Sequence, residues 1–576
     1  MGVALIAWGR FFAPNGAKIT VPAPSTTPGA PWLLDFLAGE VGRLRDAGFS
    51  AIQLPPVSKV QGGDGAGCDG YGVFDRRDLG SKNQQGSVPT RYGSVDSLRR
   101  FVANAHATGL DVYLDVVMHQ MDGENGGLGV FRYLGANGRA NAGRGAMNSG
   151  CFRGVPPANR PEDAVPVPAD DFQFGRELVY QNCEPPGYTI EDGLDYGDWV
   201  FRTTGADGGR FDDTKGTWAP FVSQFMRSRA MAGKFFYSEY DDGNPANLDW
   251  WATSPPMSSR SLVTDFTLHY ALQAACDGGQ ASVLDGAGYA AHNPFLACTF
   301  VDNPDTDTSM GEAIVSSKLL AYAFILTTEG YPFVYGKDYF PSSVWPGAYG
   351  LQRWIDNLIW IHEILAAGPT VTRHVDNKVI VLNRTGGPGL LAALNFDTWN
   401  APTITCETSF GPGVDLHDYT GCHPDIRTDG AGRATFRIPS NAHQNGQSYL
   451  CFSRAGIDQP VPRTRRATTQ VFFGAADLDI APATPGASVD AGRIWCAAGT
   501  PISASLSLHL RGGMSAANVR FAILGPSGRP LVGGMSQAHG TIADTGWHVL
   551  RVITDASAEG SADYELSVTY FGTERL

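Results

Sequence analysis

Apolar residues in the first 370 positions fall into short runs separated by longer amphipathic stretches. Runs at 3–8, 51–55, 111–118, 209–213, 235–240, 262–266, 295–301 and 331–335 have the length of buried strands. Helical spacing occupies 32–47, 95–108, 196–204, the region near 221–231, and 312–326. Strands alternating with helices build a parallel sheet covered by helices, and eight strands is the number that closes a (β/α)₈ barrel. The rhythm breaks once, over 121–194, directly after the third strand. That stretch is rich in Gly, Pro and Asn and too long for a plain connection, so it predicts an inserted subdomain. The barrel is thereby expected from 1–120 and 195–370.

Beyond 371 the period shortens. Alternating segments at 379–382, 390–394, 434–438 and 448–452 predict an antiparallel β domain over 371–457. Pro and Arg residues over 458–468 mark a linker. Alternation resumes at 502–510, 519–524, 548–554 and 564–570, which predicts a separate β-sandwich over 470–576. Its two tryptophans, Trp495 and Trp547, are too few for a binding platform and are expected in its core.

Composition narrows the function. The run 319–326 is well short of the ~18 apolar residues that suggest a membrane span, so no membrane partner is expected. With 43 Lys+Arg against 57 Asp+Glu, the formal charge is −14; no basic field exists to attract nucleic acid. The start, Met1-Gly-Val-Ala-Leu-Ile, lacks the cationic and apolar regions of a signal peptide. A leader is on this reading either absent or removed, as in a secreted chain, which leaves location open. Nine cysteines contain no CxxC, so a zinc ribbon is unsupported. Cys151 with Cys183, and Cys406 with Cys422, are spaced like loop-closing disulfides.

Four segments place acids at the C-terminal ends of expected strands 3, 4, 5 and 7, where barrel enzymes keep their active sites. They are Asp115 in DVYLDVVMHQ, Asp212 beside Arg210 in GGRFDDTKG, Glu239 in FFYSEYDDG, and Asp305 in FVDNPDTD. Retaining cleavage of a glycoside needs one carboxylate to attack the anomeric carbon and a protonated carboxyl ~5–5.5 Å away to protonate the leaving oxygen. Asp212 and Glu239 can fill those roles. Glu239 stands among Phe235, Phe236, Tyr237 and Tyr240, an apolar setting that favours the protonated form.

In order, spacing and strand assignment these segments resemble the signature segments of the α-amylase family of glycoside hydrolases. The resemblance extends through residues 68–75, 78–80 and 86–93, which look like the family's loop after the second strand, and through Glu329-Gly-Tyr-Pro332 with Tyr335-Gly336, which look like its eighth strand. It covers roughly 1–455. It implies Asp212 as nucleophile, Glu239 as general acid/base and Asp305 as the acid that stabilises the transition state through sugar hydroxyls. It further implies that Tyr71 stacks on the sugar and that Arg210, Gln120, His119 and Lys215 belong to the substrate site, with Asp115 supporting Arg210 from beneath.

Departures from the family pattern are specific. The first segment ends in His119-Gln120 where Asn-His is usual, Pro304 precedes Asp305 where His is usual, and Gly216 follows Lys215 where His is usual. Two of these imidazoles would donate to the reacting sugar; Gln120 can replace one, and Pro304 cannot. An altered cleavage subsite is expected. The family also implies a structural calcium, held by the Asn of the first segment and nearby acids. Here that position is His119, an awkward ligand for a hard cation, with Asp170 and Asp171 as further candidates; the chemistry itself needs no cofactor. The sequence thus predicts a retaining hydrolase of α-glucans or short α-gluco-oligosaccharides. The alternatives are a transglycosylase on the same site, or a non-catalytic carbohydrate-binding protein, against which the retention of all four residues Arg210, Asp212, Glu239 and Asp305 argues.

Overall fold

The computed structural model describes residues 2–9, 32–61, 69–122, 132–134, 140–142, 149–152, 175–184, 186–307, 311–345, 347–443, 445–475, 488–554 and 560–574. Eight strands form a closed parallel barrel: β1 (Ala4–Ile6), β2 (Ala51–Pro56), β3 (Asp111–Val116), β4 (Gly208–Phe211), β5 (Phe235–Ser238), β6 (Leu262–Thr264), β7 (Ala297–Phe300) and β8 (Tyr331–Tyr335). Pairing of β1 with both β2 and β8 closes it. The strands are buried on both faces, which is why they read as continuous apolar runs. In register, Arg210 of β4 stands opposite Asp115 of β3 and Tyr237 of β5. One register therefore brings the acids of three strands to one level.

The barrel's helices include α1 (Leu33–Ala47), α2 (Val95–Thr108), α3 (Tyr188–Thr204), α4 (Ala219–Arg227), α5 (Phe266–Gly278), α6 (Lys318–Thr327) and α7 (Gln352–Ile364). Helix α2 shows the usual start and stop: the Ser94 side chain accepts from Ser97 N, and Gly109 ends it in the left-handed region at φ 85°. Helix α3 begins eight residues before the expected 196, inside the segment assigned to the insertion. Its Gly193 and Gly197 explain the mismatch: a Cβ at either would fall within 3 Å of Phe221 or Phe225 of α4, so glycines that weaken helix periodicity are the price of close helix packing. Residues 312–317, expected as helix, are irregular, and α5 and α7 had no counterpart in the pattern reading.

Of the insertion, the described part comprises a ribbon of Arg132–Leu134 with Ala140–Ala142 and a pairing of Gln120–Met121 with Arg176–Glu177. The expected disulfides are not formed. Cys151 Sγ donates to the Glu184 carbonyl (3.6 Å), and Cys406 and Cys422 are thiols, one buried and one exposed.

After the barrel, a six-stranded antiparallel sheet spans 370–454 with a two-stranded partner of Thr403–Glu407 and Arg433–Arg437. The C-terminal part is a sandwich of two four-stranded sheets. It lies against α2 and α3. The Gln470 amide donates to the carbonyls of Arg99 and Thr204, Tyr570 OH donates to Gln470, and Asn104 accepts from Thr573 N. Trp495 and Trp547 meet edge to face at 5.4 Å with the Arg100 guanidinium of α2 beside both rings, so they serve the junction rather than the sandwich interior. The linker crosses the N-terminal rim of the barrel: Arg463 donates to the carbonyls of Gly48 and Phe49, and Arg466 pairs with Asp111 and Asp207 at the starts of β3 and β4. Among the described residues no helix is long and apolar enough to cross a membrane.

Candidate active site

The C-terminal ends of the strands converge on one buried guanidinium. Arg210 Nη1 donates to Asp115 Oδ1 and Oδ2 (both 2.8 Å), Asp212 Oδ1 (2.9 Å) and Tyr71 OH (3.2 Å), while Nη2 pairs with Glu239. Residues 210 and 212 share one side of the chain because strand side chains alternate. Glu239 follows β5 by one residue, and its second oxygen accepts from Asp213 N at 3.1 Å. Asp115, at the bottom of the cluster, also accepts from Tyr71 OH (3.0 Å) and from Gln53 Nε2 (3.3 Å). Such charge-assisted contacts fix ring and carboxylate orientations together.

Electrostatics follow from burial. Desolvation, partly offset by Arg210 and reinforced by Asp305, pushes Glu239 up to about 7. Desolvation also raises Asp212, against the pull of Arg210, with Glu239 adding repulsion. Two acids crowded on one cation in a dry site hold a proton between them near neutrality.

Asp305 is placed by a turn. Asn303 Oδ1 accepts from the backbone N–H groups of Asp305 (2.8 Å) and Thr306 (2.9 Å), and Asp305 lines the same small cavity, about 30 Å³, as Tyr71, Arg210 and Glu239. The segment carrying it is anchored from behind by a fully buried network: Lys318 pairs with Asp302 and, at 3.0 Å, with Asp338, which accepts from Tyr322 OH at 2.7 Å.

The remaining expected residues part company. Gln120 is buried beside the site but its Nε2 donates to the Tyr71 carbonyl at 3.4 Å. His119, expected at the sugar, instead has Nδ1 2.8 Å from Asp213 and Nε2 3.5 Å from Glu177; despite desolvation those two carboxylates raise its pKa to about 10, so it is an imidazolium. Its ring also explains Gly216, where a Cβ would lie 2.7 Å from His119 Nε2. Lys215 sits at the rim, donating to the Asp241 carbonyl (2.9 Å) and Asp242 (3.3 Å), 5.6 Å from the centre of the Tyr240 ring. At the place implied for calcium the His119 ring lies between Asp213 and Glu177, and among the described residues no group of three or more His, Cys, Asp or Glu side chains is placed to hold a metal ion. Asp170 and Asp171 lie outside the described residues, as does Cys68 of the second-strand motif.

Pattern reading missed Trp8, Gln53 and the Lys318 network. The signal for the first was present: alternation from β1 puts Ile6 and Trp8 on one side, and both line the cavity. The buried lysine carries no sequence signature, because Lys318 opens an apolar helix and looks like an ordinary solvent-facing cation.

No family model matches the chain. It is 29% identical over 402 residues to an alpha-amylase of Geobacillus stearothermophilus, covering 59% of this chain and 71% of that one. It is 26% identical over 463 residues to a cytoplasmic alpha-amylase of Escherichia coli (strain K12), covering 69% and 92%. In fold it is similar to the crystal structure of an alpha-amylase of Geobacillus thermoleovorans complexed with acarbose, with a TM-score of 0.56 at 16% identity over 78% of this chain and 97% of that one.

Proposed function

Because the chain belongs to the α-amylase family of glycoside hydrolases, we propose that it hydrolyses α-glucosidic bonds with retention, using Asp212 as nucleophile and Glu239 as acid and then base. The observation that carries this is Arg210 holding both acids at once, Asp212 at 2.9 Å on Nη1 and Glu239 on Nη2. Glu239, at about 7, carries the proton that the departing glycosidic oxygen takes. Asp212 Oδ2 is the oxygen left for attack on the anomeric carbon, since Oδ1 is turned to Arg210. The glycosyl ester that results is opened by water, from which Glu239 takes a proton, restoring the starting state. Asp305, which lines the same cavity, is the acceptor for sugar hydroxyls.

The cleavage subsite is altered in its donors. Pro304 has no N–H, the Gln120 amide donates to the Tyr71 carbonyl, and His119 Nδ1 is paired with Asp213. Discrimination among α-glucosides should therefore differ from that of a site with two imidazoles on the reacting sugar. Proton NMR of the first-formed anomer from a maltooligosaccharide tests the mechanism: the α-anomer is expected, and the β-anomer would overturn it. Products longer than the input in the same experiment would replace hydrolysis with transfer.

A further inference from the structure

We propose that Trp8 is a substrate-binding residue of this cleft, its indole N–H donating to a hydroxyl oxygen of the reacting sugar. Trp8 follows β1 at the C-terminal mouth of the barrel, its ring centre 5.7 Å from that of Tyr71 and tilted by 45° to it. Both rings line the cavity that Glu239 and Asp305 also line. The Trp8 side chain is buried, 3% exposed, and its Nε1 has no hydrogen-bond partner. An indole nitrogen can only donate, and buried donors are nearly always paired, so an unpaired one needs an acceptor from outside the protein. Location separates it from the other unpaired groups: among the described residues lining this cavity, Trp8 alone carries a buried polar side-chain atom without a partner, whereas the unpaired indole of Trp251 does not line it. The chemistry is complementary to the losses nearby. Pro304 contributes no donor, the Gln120 amide donates to the Tyr71 carbonyl and His119 Nδ1 is paired with Asp213, so the indole supplies from β1 what positions 120 and 304 do not.

This inference rests on the glycosidase reading, and its test separates the two. Trp8→Phe keeps an aromatic wall beside Tyr71 and removes the N–H. The kcat/KM of wild type and Trp8→Phe is measured on a 4-nitrophenyl α-maltooligoside and on analogues deoxygenated at the 2-, 3- or 6-position of the reacting glucose. Each ratio of parent to analogue is taken within one protein, so it is independent of how much of the variant folds. In the wild type, one deoxy analogue is expected to be about tenfold or more worse than the parent. In Trp8→Phe that one ratio should fall to near one while the other two stay as they are. Equal ratios in the two proteins, including a uniform loss of rate in the variant, overturn the role of the indole while leaving the glycosidase reading intact. Failure of the wild type to cleave the parent overturns both.

Discussion

Two arginines of this chain are equally enclosed and put to opposite use. Arg210, in the cleft, is surrounded by Asp115, Asp212, Glu239 and the Tyr71 hydroxyl, and despite burial these acids hold its pKa well above the ordinary value. Arg99, under the C-terminal sandwich, has its guanidinium 4.0 Å from the centre of the Phe472 ring and donates to the Thr203 carbonyl at 3.4 Å. Desolvation there lowers its pKa to about 10. A charge with acids around it organises a reaction; a charge among rings and carbonyls fills space and gives a cation–π contact. Burial alone therefore does not mark a functional cation. Its partners do.

The largest effects should fall on the acids around Arg210. Asp212→Asn and Glu239→Gln are each expected to lower kcat by four or more orders of magnitude with the fold retained. Azide should rescue an alanine at Asp212 to the inverted glycosyl azide; inverted product from Glu239→Ala instead would exchange the two roles. Next come the arginines themselves. Arg210→Lys, which keeps charge and loses the fork, should cost about 10²–10³ in kcat. Arg99→Ala should leave kcat unchanged and lower stability by about 2–4 kcal/mol through lost packing. A fall in kcat at saturating substrate for fully folded Arg99→Ala would break the contrast.

Titration sharpens it. Because Glu239 must be protonated to act as acid and is raised to about 7, kcat/KM should decline as pH rises through that value. Stability carries the same sign. A carboxyl whose folded pKa lies above its unfolded one contributes stability that is complete below pH ~4.3 and is lost as pH rises through 7. Glu239→Gln should accordingly raise Tm by a few degrees at pH 8 and hardly at all at pH 4, a difference readable by calorimetry at the two pH values. The smallest effect is expected from chelation: with an imidazolium between Asp213 and Glu177, EDTA should shift Tm by less than a degree. A drop of several degrees reversed by calcium would show a cation site elsewhere in the chain.

How much of this was legible in the sequence depended on which forces left a pattern. Buried parallel strands leave continuous apolar runs, so all eight could be read, with every strand but β2 and β8 shorter than expected. Acids at strand ends leave a signature because their spacing is fixed by the barrel, and Asp115, Asp212, Glu239 and Asp305 were found that way. What tertiary contacts decide left no periodic trace. Helix α3 hid its first turns behind Gly193 and Gly197, whose purpose is contact with Phe221 and Phe225. His119 looked like a sugar ligand, but its ring lies between Asp213, 2.8 Å from Nδ1, and Glu177, 3.5 Å from Nε2, and Gly216 looked like a loss until it proved to make room for that ring.

The linker over the barrel rim bears on whether the C-terminal sandwich is a detachable module. Thr468 bonds His106 Nδ1 at 2.7 Å, His106 Nε2 reaches Asp207 at 2.8 Å, and Asp207 in turn meets Arg466. Cutting the chain at the linker would deprive Asp207 of its guanidinium and uncover Ala103 and Arg99, which are buried with the sandwich in place. A shortened enzyme designed by sequence boundaries would thus inherit a raw surface on α2 and a weakened rim at β3 and β4. Barrel and sandwich should instead be treated as one hereditary unit, to be swapped or trimmed together.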